Sequence, residues 1–327
     1  MVHIRYGETG LSVIKALGWL TFWSSLAGIL ISCSFRQVMI KEMTTLMEGG
    51  LQAFEQDSDF NMLRQAMPAH IKLAEAMLVQ SPEDKKLRVL LAQLYGSYTF
   101  AFEETDFEAV YFGDENMIST DDRYQSIEEM KQNLSFHYKK GANYAKSALA
   151  LKYPDVEKAL ENNTLRGEFI HKLTKEDVPA LFWYGFNLGG FINLNLDSVR
   201  AMAMASQAEA AMQRVIALSS DYYYGTAHMV LMIFHSVRPP MLGGRIETAF
   251  DHFKALKSIV GDRFFLADVL YARYCLPRKQ DRNSFETILG QVSKIPLESS
   301  QSFAFFNKVA AIRAQIYLKA VDQLFDD

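Results

Sequence analysis

The stretch from Ala69 to Tyr98, AHIKLAEAMLVQSPEDKKLRVLLAQLYGSY, decides the fold class of this chain. In its first half, Ala69, Leu73 and Ala76 follow one another at a four-then-three spacing, which places them on one face of a helix. Pro82 marks a junction, because proline is tolerated at the start of a helix but not in its interior. Apolar residues then recur at helical spacing, at Leu87, Leu90, Leu91, Leu94, Tyr95 and Tyr98. The stretch therefore predicts a helical hairpin.

The four-then-three spacing of small or apolar residues recurs three more times. The later triplets are Gly141/Ala145/Ala148, Ala208/Met212/Val215 and Ala249/Phe253/Leu256. This is the second-helix signature of the tetratricopeptide repeat, in which small side chains let paired helices pack closely. The triplets begin 72, 67 and 41 residues apart, whereas a regular array repeats about every 34 residues. The sequence therefore predicts a helical-hairpin stack of degenerate tetratricopeptide-like repeats, interrupted by insertions.

The rest of the chain also predicts an all-α fold. Strands would need short alternating runs rich in valine, isoleucine and threonine, and none is convincing. A polar, acidic insertion from Asp106 to Gln125 is predicted after a helix that ends near Glu104. The stretch from Ser302 to Phe325 predicts one long C-terminal capping helix, which a helical stack needs to close its open end.

The amino-terminal residues resemble a bacterial lipoprotein signal. Leu30-Ile31-Ser32-Cys33 ends an uncharged apolar segment, and Arg5 and Lys15 lie before it. A positive leader, an apolar core and a small residue at the cleavage site are typical of secretory signals. Residues 1–32 are therefore predicted to be removed, with lipid attached to Cys33 and residues 33–327 forming a single domain. Residue 34 is serine rather than aspartate, which favours the outer membrane.

An uncleaved membrane anchor is the alternative for the same segment. Lys15 and Arg36 bracket 20 uncharged residues, enough to span a bilayer as a helix. Under either interpretation the remaining chain lies outside the inner membrane, on its periplasmic side.

Composition and motifs exclude several function classes. The formal net charge is −4 and no polybasic run occurs, so nucleic acid is not expected as a partner. The sequence has no Gly-x-Ser-x-Gly elbow and no phosphate-binding loop. His228 and His235 lie seven residues apart without a ligand-like neighbour in sequence, and we interpret them as structural. We therefore expect no enzyme activity, no cofactor and no metal.

Two aromatic runs are the candidate sites. Phe182, Trp183 and Tyr184 are adjacent on a predicted helix, where successive residues turn by about 100 degrees and cannot all face one core. Either this helix is sandwiched between neighbours, or some of these rings line a groove or pore. Another run of three aromatic residues poses the same question: Tyr222, Tyr223 and Tyr224. All six residues are candidates for lining a ligand site or pore.

Several blocks together resemble the TRAP transporter T-component family of tetratricopeptide-like lipoproteins. The likeness covers nearly all of residues 33–327. It is carried by Leu63-Arg64-Gln65-Ala66-Met67-Pro68 with Pro82 and Leu91-Ala92, by Leu181-Phe182-Trp183-Tyr184-Gly185, by Leu242-Gly243-Gly244 with Ala249 and Phe253, and by the C-terminal residues Tyr271-Ala272, Gln280-Asp281, Phe285, Asn307, Ala310, Arg313-Ala314 and Leu324-Phe325.

The resemblance implies a lipid-anchored protein on the periplasmic side of a membrane that partners the solute-binding P-component of a TRAP transporter. It further implies a homotrimer with pores through its helices and a hydrophobic or amphipathic ligand. The family has no catalytic residues to transfer. Its usual pattern has a further tryptophan where this chain has Phe186, Leu188 and Phe191. The alternative function is a general envelope-assembly scaffold that binds other proteins and no small ligand.

Overall fold

A computed structural model describes residues 37–113, 126–161, 167–295 and 301–325. The predicted signal peptide, Cys33 and most of the acidic insertion lie outside these ranges. All regular structure within them is helical, which confirms the all-α prediction. Across the same ranges, no helix is both long enough and apolar enough to cross a bilayer.

The first half of the chain forms both long and short helices. They are α1 (37–55), α2 (Phe60–Gln80), α3 (Lys85–Tyr98), α4 (Glu104–Tyr111), α5 (Ile127–Ala150), α6 (Val156–Glu161), α7 (Glu168–Lys172) and α8 (Val178–Leu194). The second half continues with α9 (Val199–Ala203), α10 (Ala205–Leu218), α11 (Thr226–Val237), α12 (Ile246–Val260), α13 (Phe265–Cys275), α14 (Arg282–Val292), α15 (Ala304–Lys319) and α16 (Val321–Leu324).

The long helices pack as a series of neighbouring pairs. Helix α3 lies against α2 and α5, α5 against α8, and α8 against α10. The series continues from α10 to α11, and then through α12, α13 and α14. Helix α15 packs on α13 and α14 and also returns to contact α2 and α4. The carboxyl-terminal helix therefore closes the stack against its beginning.

Most of the predicted helix faces are the buried ones, with one exception. The apolar face from Leu87 to Tyr98 and the last three small-residue triplets lie largely in the interior. The prediction that the first triplet packs against a paired helix was wrong, because Ala69, Leu73 and Ala76 are exposed on α2. Helix α2 instead buries a parallel row of larger side chains, which give it more apolar contact with α3 and α15: Leu63, Met67, Ile71, Ala74 and Met77.

Two predicted helix boundaries also need correction. The helix expected to end near Glu104 continues through a π-helical turn, Thr99–Glu103, into α4 and reaches Tyr111. The predicted single closing helix is shorter, because α15 ends at Lys319. A non-helical Ala320 and the short α16 follow, and they bring the Phe325 ring to 5.1 Å from Phe285 on α14.

Glycines let helix α8 approach its neighbours closely. A Cβ atom on Gly190 of α8 would lie 2.5 Å from Cζ of Tyr138 on α5. A Cβ atom on Gly141 of α5 would lie 2.3 Å from Oδ1 of Asn187 on α8. Real Cβ atoms do not approach other atoms so closely, so the crossing of α5 and α8 depends on these two glycines.

We expect Gly141→Ala to lower the free energy of unfolding by about 1–3 kcal/mol, because the added methyl group forces α5 and α8 apart. Denaturant unfolding followed by circular dichroism measures this change. Gly290→Ala in α14 is the matched control, because its Cβ meets nothing within 4 Å. The control should stabilise the helix by about 0.5–1 kcal/mol. Equal effects of the two substitutions would contradict the close crossing.

Candidate functional site

Helix α8 lies in the centre of the stack and is buried on all sides. It contacts α3, α5, α10 and α11, and Phe182, Trp183 and Tyr184 are all at most 4% exposed. The Phe182 ring lies 5.3 Å from Tyr222, and the Tyr184 hydroxyl donates to Oε1 of Gln207 at 2.9 Å. Three adjacent aromatic residues are therefore buried because neighbouring elements surround α8: Phe182 and Trp183 pack on Tyr223, whereas Tyr184 faces α10.

The tyrosine run is not part of an α-helix. Tyr222–Gly225 form a short turn in which Tyr223 and Tyr224 have positive φ angles of 46° and 61°. Residues other than glycine rarely adopt such backbone angles, and each one costs about 1–3 kcal/mol. The turn aims Tyr223 inward, 4.9 Å from the Trp183 ring, while the Tyr224 hydroxyl donates to Oε2 of Glu55 at 2.6 Å.

A small cavity, here the inner cavity, lies beside these rings. Its volume is about 20 Å³, and its walls include Trp183, Tyr223 and Phe306. The indole Nε1 of Trp183 is buried, and within the described part of the chain it makes no hydrogen bond of normal geometry. The Tyr222 hydroxyl is close enough to this N–H to interact with it electrostatically, but the two groups do not have hydrogen-bond geometry. The inner cavity is thus apolar, with one unsatisfied donor in its wall.

A second cavity of about 40 Å³, the middle cavity, lies next to the inner one. Both are lined by Phe100, Phe186 and Met229, which form the partition between them. The partition residues come from the π-helical turn, α8 and α11. Two glycines of α8, Gly189 and Gly190, also line the middle cavity and leave room for it.

The middle cavity adjoins an open cleft of about 480 Å³, the mouth cleft. Glu104, Asn193 and Tyr274 line both spaces. The inner cavity, the middle cavity and the mouth cleft therefore form one row, which we call the interior row. It leads from Trp183 in the centre of the stack to the surface.

Buried charges lie beside the point where the row meets the mouth cleft. Arg313 of α15 is fully buried, and its Nη1 lies 3.3 Å from Oε1 of Glu104 and 3.4 Å from Oε2 of Glu108. The hydroxyls of Tyr138 and Tyr317 donate to Glu104 and Glu108 respectively. Burial raises the pKa of Glu104, and the negative charge of Glu108 adds to this effect, whereas Arg313 opposes it.

The π-helical turn shapes this charged cluster. The turn presents the Phe100 carbonyl to the Nη2 of Arg313, and Nε of Arg313 donates to Oγ1 of Thr105 at 3.0 Å. Isolated π-turns within helices are frequent at functional sites. Sequence reasoning missed the cluster and quoted Arg313 only as part of a resemblance. The available signal was an arginine flanked by Ala311, Ile312 and Ala314, together with two glutamates one turn apart.

The two predicted structural histidines are joined by a third. Nδ1 of His228 lies 2.9 Å from Nδ1 of His252, and the His235 and His252 rings stack with centroids 5.7 Å apart. No cluster of three or more His, Cys, Asp or Glu side chains in the described ranges has a geometry that could hold a metal ion.

The predicted site residues fall into two groups. Trp183 and Tyr223 line the inner cavity. Phe182, Tyr184, Tyr222 and Tyr224 are packed around them and are not among the residues that line it. A role of these six residues in ligand binding stays a prediction, and Cys33 lies outside the described residues.

Comparison with known proteins identifies the family of the chain. Residues 56–325 match the family described as TRAP transporter T-component. The chain belongs to this family. A protein of Treponema pallidum (strain Nichols), described as uncharacterized, is 27% identical over 214 residues, which cover 62% of this chain and 61% of that protein. Because the T-component is an accessory part of a transporter, family membership confirms that the chain is not an enzyme.

We expect Arg313→Met to lower the free energy of unfolding by about 3–5 kcal/mol, because it leaves two carboxylates buried without their cation. The difference from the wild type should shrink as the pH falls from about 7 to about 5, because burial raises the pKa of Glu104 and its protonation removes part of the unpaired negative charge in the variant. Chemical unfolding at several pH values measures both effects.

The matched control for this prediction is Arg282→Met. Arg282 pairs with Glu286 and Asp322 at the surface. Solvent screens such pairs, so the control should leave the melting temperature nearly unchanged at every pH. A loss in the Arg313→Met variant that does not depend on pH would contradict the assignment of buried, unpaired carboxylates.

Proposed function

We propose that this T-component is a membrane-anchored adaptor that partners the solute-binding P-component of a TRAP transporter and holds a hydrophobic or amphipathic ligand. The observation that carries the proposal is the interior row, in which aromatic, apolar cavities lie in line with a cleft at the surface, in a member of a transporter-component family. Lipid on Cys33 would hold the protein at the periplasmic side of a membrane, with the outer membrane favoured.

The chemistry of the row supports an apolar ligand with a polar end. The inner and middle cavities are walled mainly by aromatic and aliphatic side chains, including Trp183, Phe186 and Met229. The mouth cleft adds Arg273, Arg278 and Lys131 to the Glu104 and Asn193 that it shares with the middle cavity. A ligand would therefore keep its polar end at the mouth and bury its apolar part inside, as ligand pockets generally arrange polar and apolar groups.

The present cavity volumes favour a second candidate, the envelope-assembly scaffold without a small ligand. Pockets for drug-sized ligands measure about 300–1,000 Å³, and the inner and middle cavities of about 20 and 40 Å³ hold little more than single waters. Ligand entry therefore requires movement within the partition, at one or more of its three side chains. A scaffold requires no such movement.

Exposed apolar residues support a protein partner under either candidate. On α2, Met62, Leu73 and Val79 are between 47% and 76% exposed. We propose that these three side chains contribute to an apolar surface for protein association. Both the P-component and the other subunits of a homotrimer are partners that fit such a surface.

We expect added dodecanol to change the fluorescence of Trp183 in the signal-processed chain, in a saturable way. Met229→Ala should strengthen dodecanol binding, because it removes part of the partition and joins the two cavities. The same substitution should lower the free energy of unfolding by about 2–5 kcal/mol. Titration of tryptophan emission and chemical unfolding measure the two effects, and Trp183→Phe identifies the signal.

Met212→Ala is the matched control for the ligand experiment. Met212 is fully buried on α10 and is not among the residues that line the interior row. It should lose similar stability without any gain in dodecanol affinity. If dodecanol left Trp183 emission unchanged in both the wild type and the Met229→Ala variant, the scaffold would be the better account.

We expect Cys33→Ser to abolish lipid attachment and to leave the protein with its leader uncleaved. Two or more acyl chains are needed for stable membrane anchoring, so the processed wild type should partition into detergent. Mass spectrometry of the amino-terminal peptide measures lipidation and cleavage directly. An intact leader and no acyl mass in the wild type would instead support the uncleaved anchor.

A further inference from the structure

A basic cleft lies on the side of α11 away from the interior row. Its volume is about 670 Å³, within the range of small-molecule sites, and α10, α11, α12 and the turn between the last two form its walls. It shares no lining residue with the inner cavity, the middle cavity or the mouth cleft. Four basic side chains face it: His235, Arg238, Arg245 and His252.

Arg238 is a buried cation that is only partly satisfied. It is 6% exposed, its Nη2 lies 3.1 Å from Oε2 of Glu209, and its Nε donates to the Phe234 carbonyl at 3.2 Å. Its Nη1 has no acceptor among the described residues. Glu209 is the single carboxylate in the cleft wall, and Gln213 also donates to it, at 3.3 Å. The negative charge of Glu209 is therefore already neutralised by Arg238.

Arg245 supplies a positive charge that Glu209 does not neutralise. Its guanidinium pairs with no carboxylate in the part of the chain that the structure describes, although its backbone N–H donates to the His235 carbonyl at 2.9 Å. The turn before it fixes its position. Gly243 has a φ of 88°, and a Cβ on Gly244 would lie 1.8 Å from the Arg238 carbonyl oxygen, so this turn requires both glycines.

The cleft is also partly apolar. Its apolar part is formed by four side chains: Met202, Ile216, Leu231 and Leu242. We propose that this cleft binds a small amphipathic anion, whose carboxylate or phosphate contacts Arg238 and Arg245 while its apolar group lies against these four side chains. The site is separate from the interior row, so this proposal is independent of the ligand proposed for that row.

The stacked histidines make this binding dependent on pH. Burial and mutual repulsion lower the pKa of His252 to about 4, and burial also lowers the pKa of His235. Both are therefore neutral near pH 7 without a ligand, and a bound anion favours their protonation. Because the pKa of His252 in the free protein is about 4, binding should take up protons and strengthen as the pH falls from about 7 to about 5. The charged and titratable groups facing the two rings are His228, Glu209, Arg238, Arg245 and Asp251.

Calorimetric titration of the full chain with hexanoate, hexyl phosphate, 1-hexanol and inorganic phosphate tests the proposal. The two amphipathic anions should bind, and 1-hexanol should not. Arg245→Gln should weaken their binding at least tenfold, because a charge-assisted contact is lost. Arg263→Gln, at an exposed arginine on the turn after α12, is the matched control and should leave binding unchanged. Repeating the titration in buffers of different ionisation enthalpy measures proton uptake.

Four results would overturn all or part of the proposal. The first is equal binding of 1-hexanol and hexanoate, which would make the site merely apolar. The second is unchanged anion affinity in Arg245→Gln. The third is no binding of either amphipathic anion up to about ten millimolar at pH 6. Equal affinity for inorganic phosphate and hexyl phosphate would overturn the role of the apolar part of the cleft. None of these results bears on dodecanol binding in the interior row.

Discussion

The close approach of α8 to its neighbours is the constraint on which the rest of the structure depends. Asn187 occupies the crossing point, where its Nδ2 donates to the carbonyls of Ala92 and Trp183 at 3.0 and 2.7 Å. A Cβ atom would lie only 2.3 Å from its Oδ1 if built on Gly141 and 3.0 Å from it if built on Gly96, so glycine at these positions allows α3, α5 and α8 to approach one another closely. A central helix held this tightly buries aromatic side chains all round and still leaves small gaps beside Gly189 and Gly190.

The buried charges serve position more than stability. Desolvation of Arg313, Glu104 and Glu108 costs free energy that their mutual attraction offsets only in part, and a well-packed apolar set of similar volume would be about as stable. What the charges add is a fixed position of the helices that carry them. Arg313 ties α15 to the π-helical turn and to α4, and so fixes the last long helix of the chain against one of the first. The stack is thereby closed, and the mouth cleft keeps its shape.

Periodicity predicted the helices well because it depends only on local spacing, but it could not select between faces of equal spacing. Ala69, Leu73 and Ala76 follow the same rhythm as the buried row two residues earlier on α2, and only the tertiary neighbours decide which row is covered. The site was harder to predict. Trp183 and Tyr223 stand out in sequence as aromatic runs, whereas Phe100 and Met229 are ordinary apolar residues that become a partition only when three distant segments meet.

The three side chains of that partition are not held equally. The guanidinium carbon of Arg313 lies over the Phe100 ring, 4.3 Å from the ring centroid, and the Phe100 carbonyl accepts a hydrogen bond from the same arginine. Phe186 packs against the rings of Phe182 and Trp183 at 5.9 and 5.3 Å. Met229 has neither constraint, and its unbranched side chain changes rotamer more easily than a ring in a packed cluster. A passage between the inner and middle cavities would therefore open first at Met229, with the two phenylalanines as its fixed walls.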